Sequence, residues 1–576
     1  MRRLAALCLL AVLPLGLTSC ASVAAPAAPA DPAAAQASLW RAAVAGRYAE
    51  RLQEPGRGAV YYERALVAFP EREALRGRAI EERVANGDVE TAAALARGVP
   101  GRPEGLAALA LAADFAARGE WAKARALTEG RRFGQAADIA ARFNEAWSFA
   151  AQGKPAEAAA TAAAVMPGLP VLRRIVRMQE AGLLAALGRA ESAEALYART
   201  WAEGARFAVG LDAYGALLER GGARERALSL YNSFLAEQPD NPTINVARSR
   251  LLSGHPPPSV TPAQGLARVY FALGSAIAAQ GDASDAVAYL QMALRLDPEL
   301  LAARAALGDA LAMSGRQRDA LAIYAGVPTT SPYAAMTRAD MAYLLQQQGR
   351  AGDAIDLLDA AYAATGARRV LLAKGDVLRA ERRYAEAEAV FDQAMRTGSA
   401  QEARADWRLY FARGALRERT GRWQEAEADL KRALELSPDQ PDVANYLAYT
   451  WVEMGVNVDQ ALEMLRKAVA QRPRSGPIID SLGWALFKLG RYEEALVYLE
   501  RAIALSPGDV EINDHLGDLY WRLGREREAR FQWARALTLD PPDDDRALIR
   551  QKLERGLPPK APLTSAHAHV AQSAGR

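Results

Sequence analysis

The last third of the sequence repeats itself with a period of 34 residues. The stretch LGRYEEALVYLERAIALSPG begins at Leu489, and a near copy, LGREREARFQWARALTLDPP, begins 34 residues later at Leu523. Each copy reads as the end of one helix, a turn at glycine, and a second helix that a proline stops. A single helical hairpin leaves an apolar face in water, and only the next hairpin can cover it. The period therefore predicts an all-α repeat architecture.

Small and large residues occupy fixed positions within each copy. Gly483 and Ala495 stand where paired helices approach closely, whereas Trp533 is large enough to fill the gap between hairpins. Gly490 allows the turn, and Pro507 prevents the second helix from continuing. This spacing resembles the tetratricopeptide repeat (TPR), a helix-turn-helix unit of about 34 residues.

The same pattern continues toward the N-terminus and becomes weaker there. We predict a TPR superhelical solenoid of about fourteen hairpins, in two segments joined by a Pro-rich break, SGHPPPSVTPAQ. The predicted parts are a degenerate TPR-like solenoid at 39–252, the Pro-rich joint at 253–265, a C-terminal TPR solenoid at 266–543, a capping helix at 544–557 and a disordered tail at 558–576.

The N-terminus has the layout of an exported lipoprotein. Residues 1–19 combine two arginines with a short apolar run, which is the arrangement of a signal peptide and is too short for a membrane span. The following LTSC resembles the lipobox of bacterial lipoproteins, which implies cleavage before Cys20 and lipidation of that cysteine. The alternative is an ordinary secretory signal with an incidental cysteine. Residues 20–38, rich in Ala and Pro, are predicted to form an extended tether.

The residues around the cysteine also bear on location and stability. Ala21 and Ser22 stand where many lipoproteins of the inner membrane carry aspartate, so the resemblance implies the periplasmic face of the outer membrane. Cys8 lies in the segment that would be removed, which leaves Cys20 without an internal disulfide partner. The folded part is therefore expected to depend on packing alone.

Composition and motifs argue against several other functions. The chain has 71 Lys and Arg against 68 Asp and Glu, without the basic stripe that a nucleic-acid-binding protein shows. It has four histidines and lacks HExxH, GxSxG, GxxxxGK[ST] and GxGxxG motifs. His567 and His569 lie in the predicted tail, and Asp543–Asp545 suits the start of a helix better than a calcium site. We predict no catalytic site, metal, cofactor or small-molecule substrate; an enzyme with residues distant in sequence is the alternative.

A repeat protein without catalytic residues works through its surface. In the TPR family the first helix of each hairpin lines a concave groove. The family's groove positions fall here on Tyr343, Phe411, Asn445, Tyr449, Asp480, Trp484, Phe487, Asp514, Asp518, Trp521 and Arg522. Aromatic anchors with acidic neighbours suit an extended or basic polypeptide. The alternative is that individual rings pack between repeats. Only Asn445 matches the Lys/Asn set that binds C-terminal carboxylates in other TPR domains, so a carboxylate clamp is not predicted there.

Three stretches in the last third of the sequence allow a comparison with a narrower group of proteins. NYLAYTWVEMGVNVDQALEMLRKAV from Asn445, IIDSLGWALFKLGRYEEAL from Ile478 and INDHLGDLYWRLGREREARFQWARAL from Ile512 resemble the LbcA group of long TPR lipoproteins of Gram-negative bacteria. The resemblance covers the lipobox and residues 266–557. It implies an outer-membrane adaptor that binds a periplasmic carboxyl-terminal processing protease and presents substrates such as peptidoglycan hydrolases. The alternative is a scaffold for outer-membrane protein assembly, polysaccharide export or pilus biogenesis.

Overall fold

A computed structural model of the chain describes residues 32–52, 54–98, 103–165, 170–397 and 406–558. Within these ranges the secondary structure is helical and contains no strand, which confirms the predicted all-α class. The chain divides into two compact units, Met1–Thr337 and Arg338–Arg576. Among the described helices, none has both the length and the apolar content needed to cross a bilayer.

The described part of the first unit contains seventeen complete helices: α1 Pro32–Arg51, α2 Pro55–Ala68, α3 Glu73–Ala85, α4 Val89–Arg97, α5 Gly105–Ala117, α6 Trp121–Thr128, α7 Gln135–Ala151, α8 Pro155–Ala163, α9 Pro170–Ala186, α10 Ala190–Ala202, α11 Ala208–Arg220, α12 Arg224–Glu237, α13 Pro242–Leu252, α14 Pro262–Ala279, α15 Ala283–Leu296, α16 Leu301–Met313 and α17 Gln317–Ala325. The division between the units falls within α18, Ala334–Gln347.

The described part of the second unit contains α19 Ala351–Thr365, α20 Arg368–Ala380, α21 Tyr384–Arg396, α22 Trp407–Arg419, α23 Trp423–Leu436, α24 Pro441–Met454, α25 Val458–Gln471, α26 Gly476–Lys488, α27 Tyr492–Leu505, α28 Val510–Arg522, α29 Glu526–Thr538 and α30 Asp543–Arg555. Over the described ranges the thirty helices pair into fourteen hairpins, with α13 and α30 as single helices. The predicted capping helix at 544–557 corresponds to α30.

Glycines determine both the turns and the close approach of paired helices. Gly490 has a φ of +77°, a left-handed conformation that glycine adopts without steric cost. A Cβ atom on Gly483 would lie 2.7 Å from Leu499 Cγ, and one on Gly517 would lie 2.5 Å from Trp533 Nε1. Any larger residue at these two positions would push the paired helices apart.

The first unit is held together by contacts between helices that are distant in sequence. Helix α14 packs against α7 and α9, and α15 packs against α3 and α5. One apolar core accordingly includes residues from α3 to α16. Arg295 Nη2 donates to Asp114 Oδ1 across 2.8 Å, and Arg316 Nη1 donates to the carbonyl oxygen of Ala85 across 2.8 Å. Helices α14 and α15, together with Arg316 at the start of α17, thus close back onto the N-terminal hairpins.

The Pro-rich segment interrupts the helices, but it does not divide the two units. It lies inside the first unit, between the end of α13 at Leu252 and the start of α14 at Pro262. The last residues of the predicted joint at 253–265 are helical, because Thr261 and Gln264 form a capping box and proline is well tolerated at the first helical position. The structure places the boundary between the units at 337/338 instead.

The tether predicted for 20–38 also ends earlier than expected, because α1 begins at Pro32. Proline fits the first turn of a helix, and the alanines that follow it are the strongest helix formers. Cys20, the signal peptide and the tail from residue 559 onward lie outside the described residues.

Helices of the second unit pack mainly against the next one or two helices in sequence. A continuous apolar core runs from Leu430 in α23 to Ile549 in α30. Helix α30 packs on α29 and buries Ile549, while its outer face is largely charged. A final helix with one apolar side is what the last hairpin of a stack needs to remain soluble.

Candidate protein-binding surfaces

All eleven predicted groove residues lie in the second unit, each on the first helix of its hairpin. Tyr343 is on α18 and Phe411 on α22, and the others follow on α24 (Asn445, Tyr449), α26 (Asp480, Trp484, Phe487) and α28 (Asp514, Asp518, Trp521, Arg522). They do not form one open groove. Those nearest the C-terminus are joined in a packed network, and those nearer the N-terminal end of the unit are more accessible. No observation tests whether they bind a partner, so that role stays a prediction.

Trp484 belongs to the packed network. Its ring stacks against both Phe487 and His515, with ring centroids 4.7 Å and 3.8 Å away. The indole Nε1 donates a hydrogen bond to Glu453 Oε1 across 2.5 Å. The residue is only 9% exposed. This ring therefore follows the alternative left open by the sequence, packing between repeats, and not the interpretation as a water-facing anchor.

His515 and Asp480 form a buried pair beside this stack, with His515 Nδ1 2.8 Å from Asp480 Oδ2. Burial alone would lower the pKa of His515, but the charge and hydrogen bond of Asp480, with the charges of Glu511 and Asp514, raise it to about 9. The imidazole is therefore protonated at neutral pH. The Tyr449 hydroxyl donates to Glu511 across 2.8 Å and ties α24 to the same network.

Sequence reasoning missed His515, although a signal was present. Asp480 and His515 are 35 residues apart, which places them one position apart in consecutive repeats. A histidine that faces a carboxylate of the preceding repeat has a partner within reach on the neighbouring first helix.

The acidic end of the predicted groove is occupied by the chain's own C-terminal helix. Lys552 Nζ lies 2.6 Å from Asp514 Oδ2 and 2.9 Å from Asp518 Oδ2. The other oxygen of Asp518 accepts a hydrogen bond from Trp533 Nε1 across 2.9 Å. Burial raises the pKa of Asp518 and the neighbouring Asp514 raises it further, while Lys552 opposes both. This acidic pair is already compensated and does not await a basic partner.

Trp521 and Arg522 likewise hold the C-terminal segment. A Cβ atom on Gly556 would overlap the Trp521 ring, so the chain passes directly against it. The guanidinium of Arg530 lies 5.3 Å from the centre of the same ring. Arg522 Nη1 donates to the carbonyl oxygen of Pro558 across 2.7 Å. Glycine at 556 is thus required by the close approach.

The accessible part of the predicted surface lies on α18, α22 and α24. Tyr343 is 60% exposed. Phe411 is half-buried and packs edge-on against Tyr446, with ring centroids 5.7 Å apart. The buried Oδ1 of Asn445 accepts no hydrogen bond from the described part of the chain. Tyr343 is the predicted groove residue with a largely exposed side chain.

The first unit contains a cleft that sequence reasoning did not identify. It consists of two adjoining cavities of about 310 Å³ and about 210 Å³. Both are lined by Met178, Gln179, Val209, Gly210 and Arg268. Alanine and glycine make up much of the remaining wall, and these small side chains leave the space open. The sequence carries no local signal for this cleft, because helices from several hairpins form its walls together.

Several buried carboxylates pair with a cation of their own unit. Asp114 accepts hydrogen bonds from arginines, Asp480 pairs with His515, and Asp518 pairs with Lys552. Within the described ranges, no three His, Cys, Asp or Glu side chains come together as ligands for a metal ion. The arrangement offers shaped surfaces and clefts for other molecules.

Comparison with known families agrees with the repeat architecture. Residues 267–335 and 329–539 match two family models described as tetratricopeptide repeat. These residues therefore form tetratricopeptide repeats, as the 34-residue period predicted. Stacks of this kind serve as protein-interaction scaffolds, because their extended surfaces contact other polypeptides.

Individual relatives are similar over limited lengths or with low identity. The TPR repeat-containing protein PA4667 of Pseudomonas aeruginosa is 29% identical over 86 residues, and this match spans 15% of its length and 15% of this chain. Among solved structures, the APC/C hetero-tetramer Cut9–Hcn1 aligns with 14% identity over 90% of this chain and 96% of that chain, with a TM-score of 0.41. The thermophilic TPR protein TTC0263 of Thermus thermophilus aligns with 26% identity over 33% of this chain and 98% of that chain, with a TM-score of 0.29.

Proposed function

We propose that this protein is an adaptor anchored through lipidated Cys20 to the periplasmic face of the outer membrane. It binds a carboxyl-terminal processing protease and presents substrates to it, with peptidoglycan hydrolases as the expected class. The observation that carries the proposal is a stack of tetratricopeptide hairpins in a chain whose N-terminus carries the lipobox-like LTSC. The choice of a protease as partner comes from the resemblance of residues 266–557 to the LbcA group.

The mechanism requires no chemistry from this chain. One protein that holds protease and substrate at once converts their encounter into a nearly intramolecular event, because each partner experiences a high effective concentration of the other. The chain has two compact units, and each offers its own surface to a partner. The residues at those surfaces select the partners, and the protease cleaves.

The exposed face of α1 supports a position close to a bilayer. Trp40, Val44 and Tyr48 of α1, with Leu52 directly after its last residue, recur every fourth residue and are between 51% and 64% exposed. Residues four apart share one helix face, so these side chains form an apolar stripe open to solvent. The same helix carries Arg41, Arg47 and Arg51. Aromatic rings and arginines are the side chains that favour a membrane interface, and the helix starts twelve residues after Cys20.

Replacement of the lipidated cysteine tests the anchor. We expect the Cys20→Ala protein to move to the soluble periplasmic fraction after a carbonate wash, and to incorporate no labelled palmitate, because the acyl chains supply most of the membrane affinity. Its thermal unfolding midpoint should match that of the natural protein. Cys8→Ala is the matched control and should remain membrane-bound. Membrane retention of the Cys20→Ala protein after the wash would contradict the lipid anchor.

Copurification tests the choice of partner. The tagged protein is recovered from detergent-solubilised envelopes, and the proposal predicts a carboxyl-terminal processing protease among the bound proteins. Purified protein added to that protease should accelerate cleavage of a bound hydrolase on the order of tenfold or more, since the effective-concentration gain is of this size or larger. Recovery of barrel-assembly or export components without a protease would favour the scaffold alternative and reject the adaptor.

A further inference from the structure

The cleft of the first unit has the size and wall chemistry of a binding site. Its walls come from α9, α11, α14 and α16, with Tyr333 and Met336 at one end. The larger cavity, about 310 Å³, reaches the range of about 300–1,000 Å³ that ligand pockets occupy. Met178, Phe207 and Phe271 make this cavity predominantly apolar.

Arg268 lies where the two cavities meet. Among the described residues its guanidinium has neither a hydrogen-bond partner nor an ion-pair partner within contact distance, although Asp212 attracts it at longer range. The Asp212 carboxylate itself lies 3.5 Å from Arg250. Five N–H donors in a planar fork, placed in an apolar cleft, suit a carboxylate that can accept two of them at once.

The other charged groups of the cleft are already engaged. Arg206 donates to Glu237 across 3.2 Å, and Arg220 donates to the carbonyl oxygen of Pro258 across 3.4 Å. Asp309 accepts a hydrogen bond from the Tyr324 hydroxyl across 2.6 Å. Arg268 is therefore the cation of the cleft whose donors have no contact partner among the described residues, while Asp212 and Asp297 attract it at longer range.

Two neutral polar side chains distinguish between possible anions. Gln179 and Ser275 line the larger cavity, and neither makes a hydrogen bond within the described part of the chain. A polypeptide backbone offers an N–H and a C=O at every residue and can satisfy both side chains. A fatty-acid tail offers nothing for them to bond. The combination of an anion site, an apolar wall and neutral hydrogen-bonding groups fits a peptide end.

We propose that this cleft binds the free C-terminus of a partner polypeptide, with the terminal carboxylate on Arg268 and apolar final side chains in the larger cavity. The inference rests on the proposed function, because it names the kind of partner that an adaptor would hold. It concerns the first unit alone, however, and its test needs neither the protease nor the membrane anchor.

A paired peptide library tests the proposal. The full chain with Cys20→Ala is incubated with random decapeptides prepared once with a free carboxylate and once as carboxamides. We expect enrichment of apolar final residues among the free acids only, and at least tenfold weaker binding when an enriched peptide is amidated. An absence of enrichment, or equal binding of acids and amides, would overturn the proposal. Oleate that binds when no peptide does would assign the cleft to a lipid instead.

Single substitutions test whether peptide binding depends on Arg268 and on the larger cavity. Arg268→Ala should abolish the preference for the acid over the amide. Arg173→Ala is the matched control, since Arg173 is exposed on the same helix as Gln179 and does not line the cleft. Ala306→Phe narrows the larger cavity and leaves Arg268 in place, so it should weaken the binding of free-acid and amidated peptides alike. If the folded Arg268→Ala protein still binds free-acid peptides more tightly than amidated ones, the carboxylate site is refuted. Absence of a protease from the copurified proteins would reject the adaptor role but would not affect the peptide-binding result.

Discussion

The two units build different structures from the same helical hairpin. In the first unit, α14 and α15 return to pack against α3, α5, α7 and α9, and Arg295 donates to Asp114 across 181 residues of sequence. In the second unit each helix packs mainly on the next one or two. A linear stack distributes stability among neighbouring repeats, whereas closure makes many hairpins depend on a few long-range contacts.

The difference also separates the two candidate surfaces. The first unit has a cleft with walls from several hairpins, and Arg268 lies where its two cavities meet. The second unit ends in a network of aromatic and acidic residues that its own α30 completes through Lys552. Its accessible residues, such as Tyr343, lie nearer the start of the unit. The same repeat thus supports two chemically distinct contact regions.

The largest effect is expected from breaking the closure of the first unit. Asp114 has a side chain that is 0% exposed, and it accepts hydrogen bonds from Arg97, Arg118 and Arg295. Asp114→Asn removes the charge that compensates three guanidinium groups, so the free energy of unfolding should fall by up to about 5 kcal/mol. Urea denaturation measures this change. Asp282→Asn, at an exposed site, should alter it by no more than about 0.5 kcal/mol.

A fall of less than about 1 kcal/mol for Asp114→Asn would mean that closure contributes little to stability. The first unit would then behave as a linear stack like the second, and the contrast between them would disappear.

A somewhat smaller effect is expected in the second unit from Trp484→Ala. Removal of a buried ring that stacks on Phe487 and His515 should lower the free energy of unfolding by about 3–4 kcal/mol. Phe531→Ala is the control, because Phe531 is 67% exposed. Chemical denaturation followed by circular dichroism makes the measurement. Unchanged stability together with lost partner binding would restore Trp484 as a water-facing anchor.

The pH dependence of the second unit sharpens the comparison further. His515 faces Asp480, Glu511 and Asp514, and its folded-state pKa of about 9 lies above the ordinary value of 6.5. The stabilisation of the folded state by protonated His515 is therefore complete below about pH 6.5 and is lost as the pH rises through about 9. At about 1.4 kcal/mol per pKa unit, the total is about 3 kcal/mol.

The measurement compares unfolding free energies of the natural protein and His515→Gln between pH 6 and pH 10. The natural protein should lose stability relative to the variant as the pH rises. A difference that does not change with pH would show that His515 is neutral in the folded state.

Local constraints explain how much of the fold was predictable. A hairpin needs one residue that allows the turn, as Gly490 does, and one that allows close helix approach, as Gly483 does. The repeat is therefore visible in the sequence. The closure of the first unit is not visible in the sequence, because Asp114 and Arg295 are 181 residues apart. A hairpin also shows the same pattern whether its stack is linear or closed. The Pro-rich segment therefore suggested a division that the structure places at 337/338.

The candidate site was predictable to the same degree. Position within the repeat placed all eleven residues on the first helices of their hairpins. It could not predict exposure, which depends on residues from the next repeat: His515 covers Trp484, and Lys552 covers Asp518. The cleft around Arg268 has no sequence signature, because hairpins distant in sequence form its walls together.

Photo-crosslinking in living cells tests most directly the claim that this chain brings two proteins together. A photoreactive amino acid is placed at Ser275 in the cleft of the first unit, at Tyr343 in the second unit, and at Val497 as an exposed control. We expect Ser275 and Tyr343 to capture different proteins, one a carboxyl-terminal processing protease and the other a substrate of it. Capture of neither class above the level at Val497 would show that the chain does not act as this adaptor.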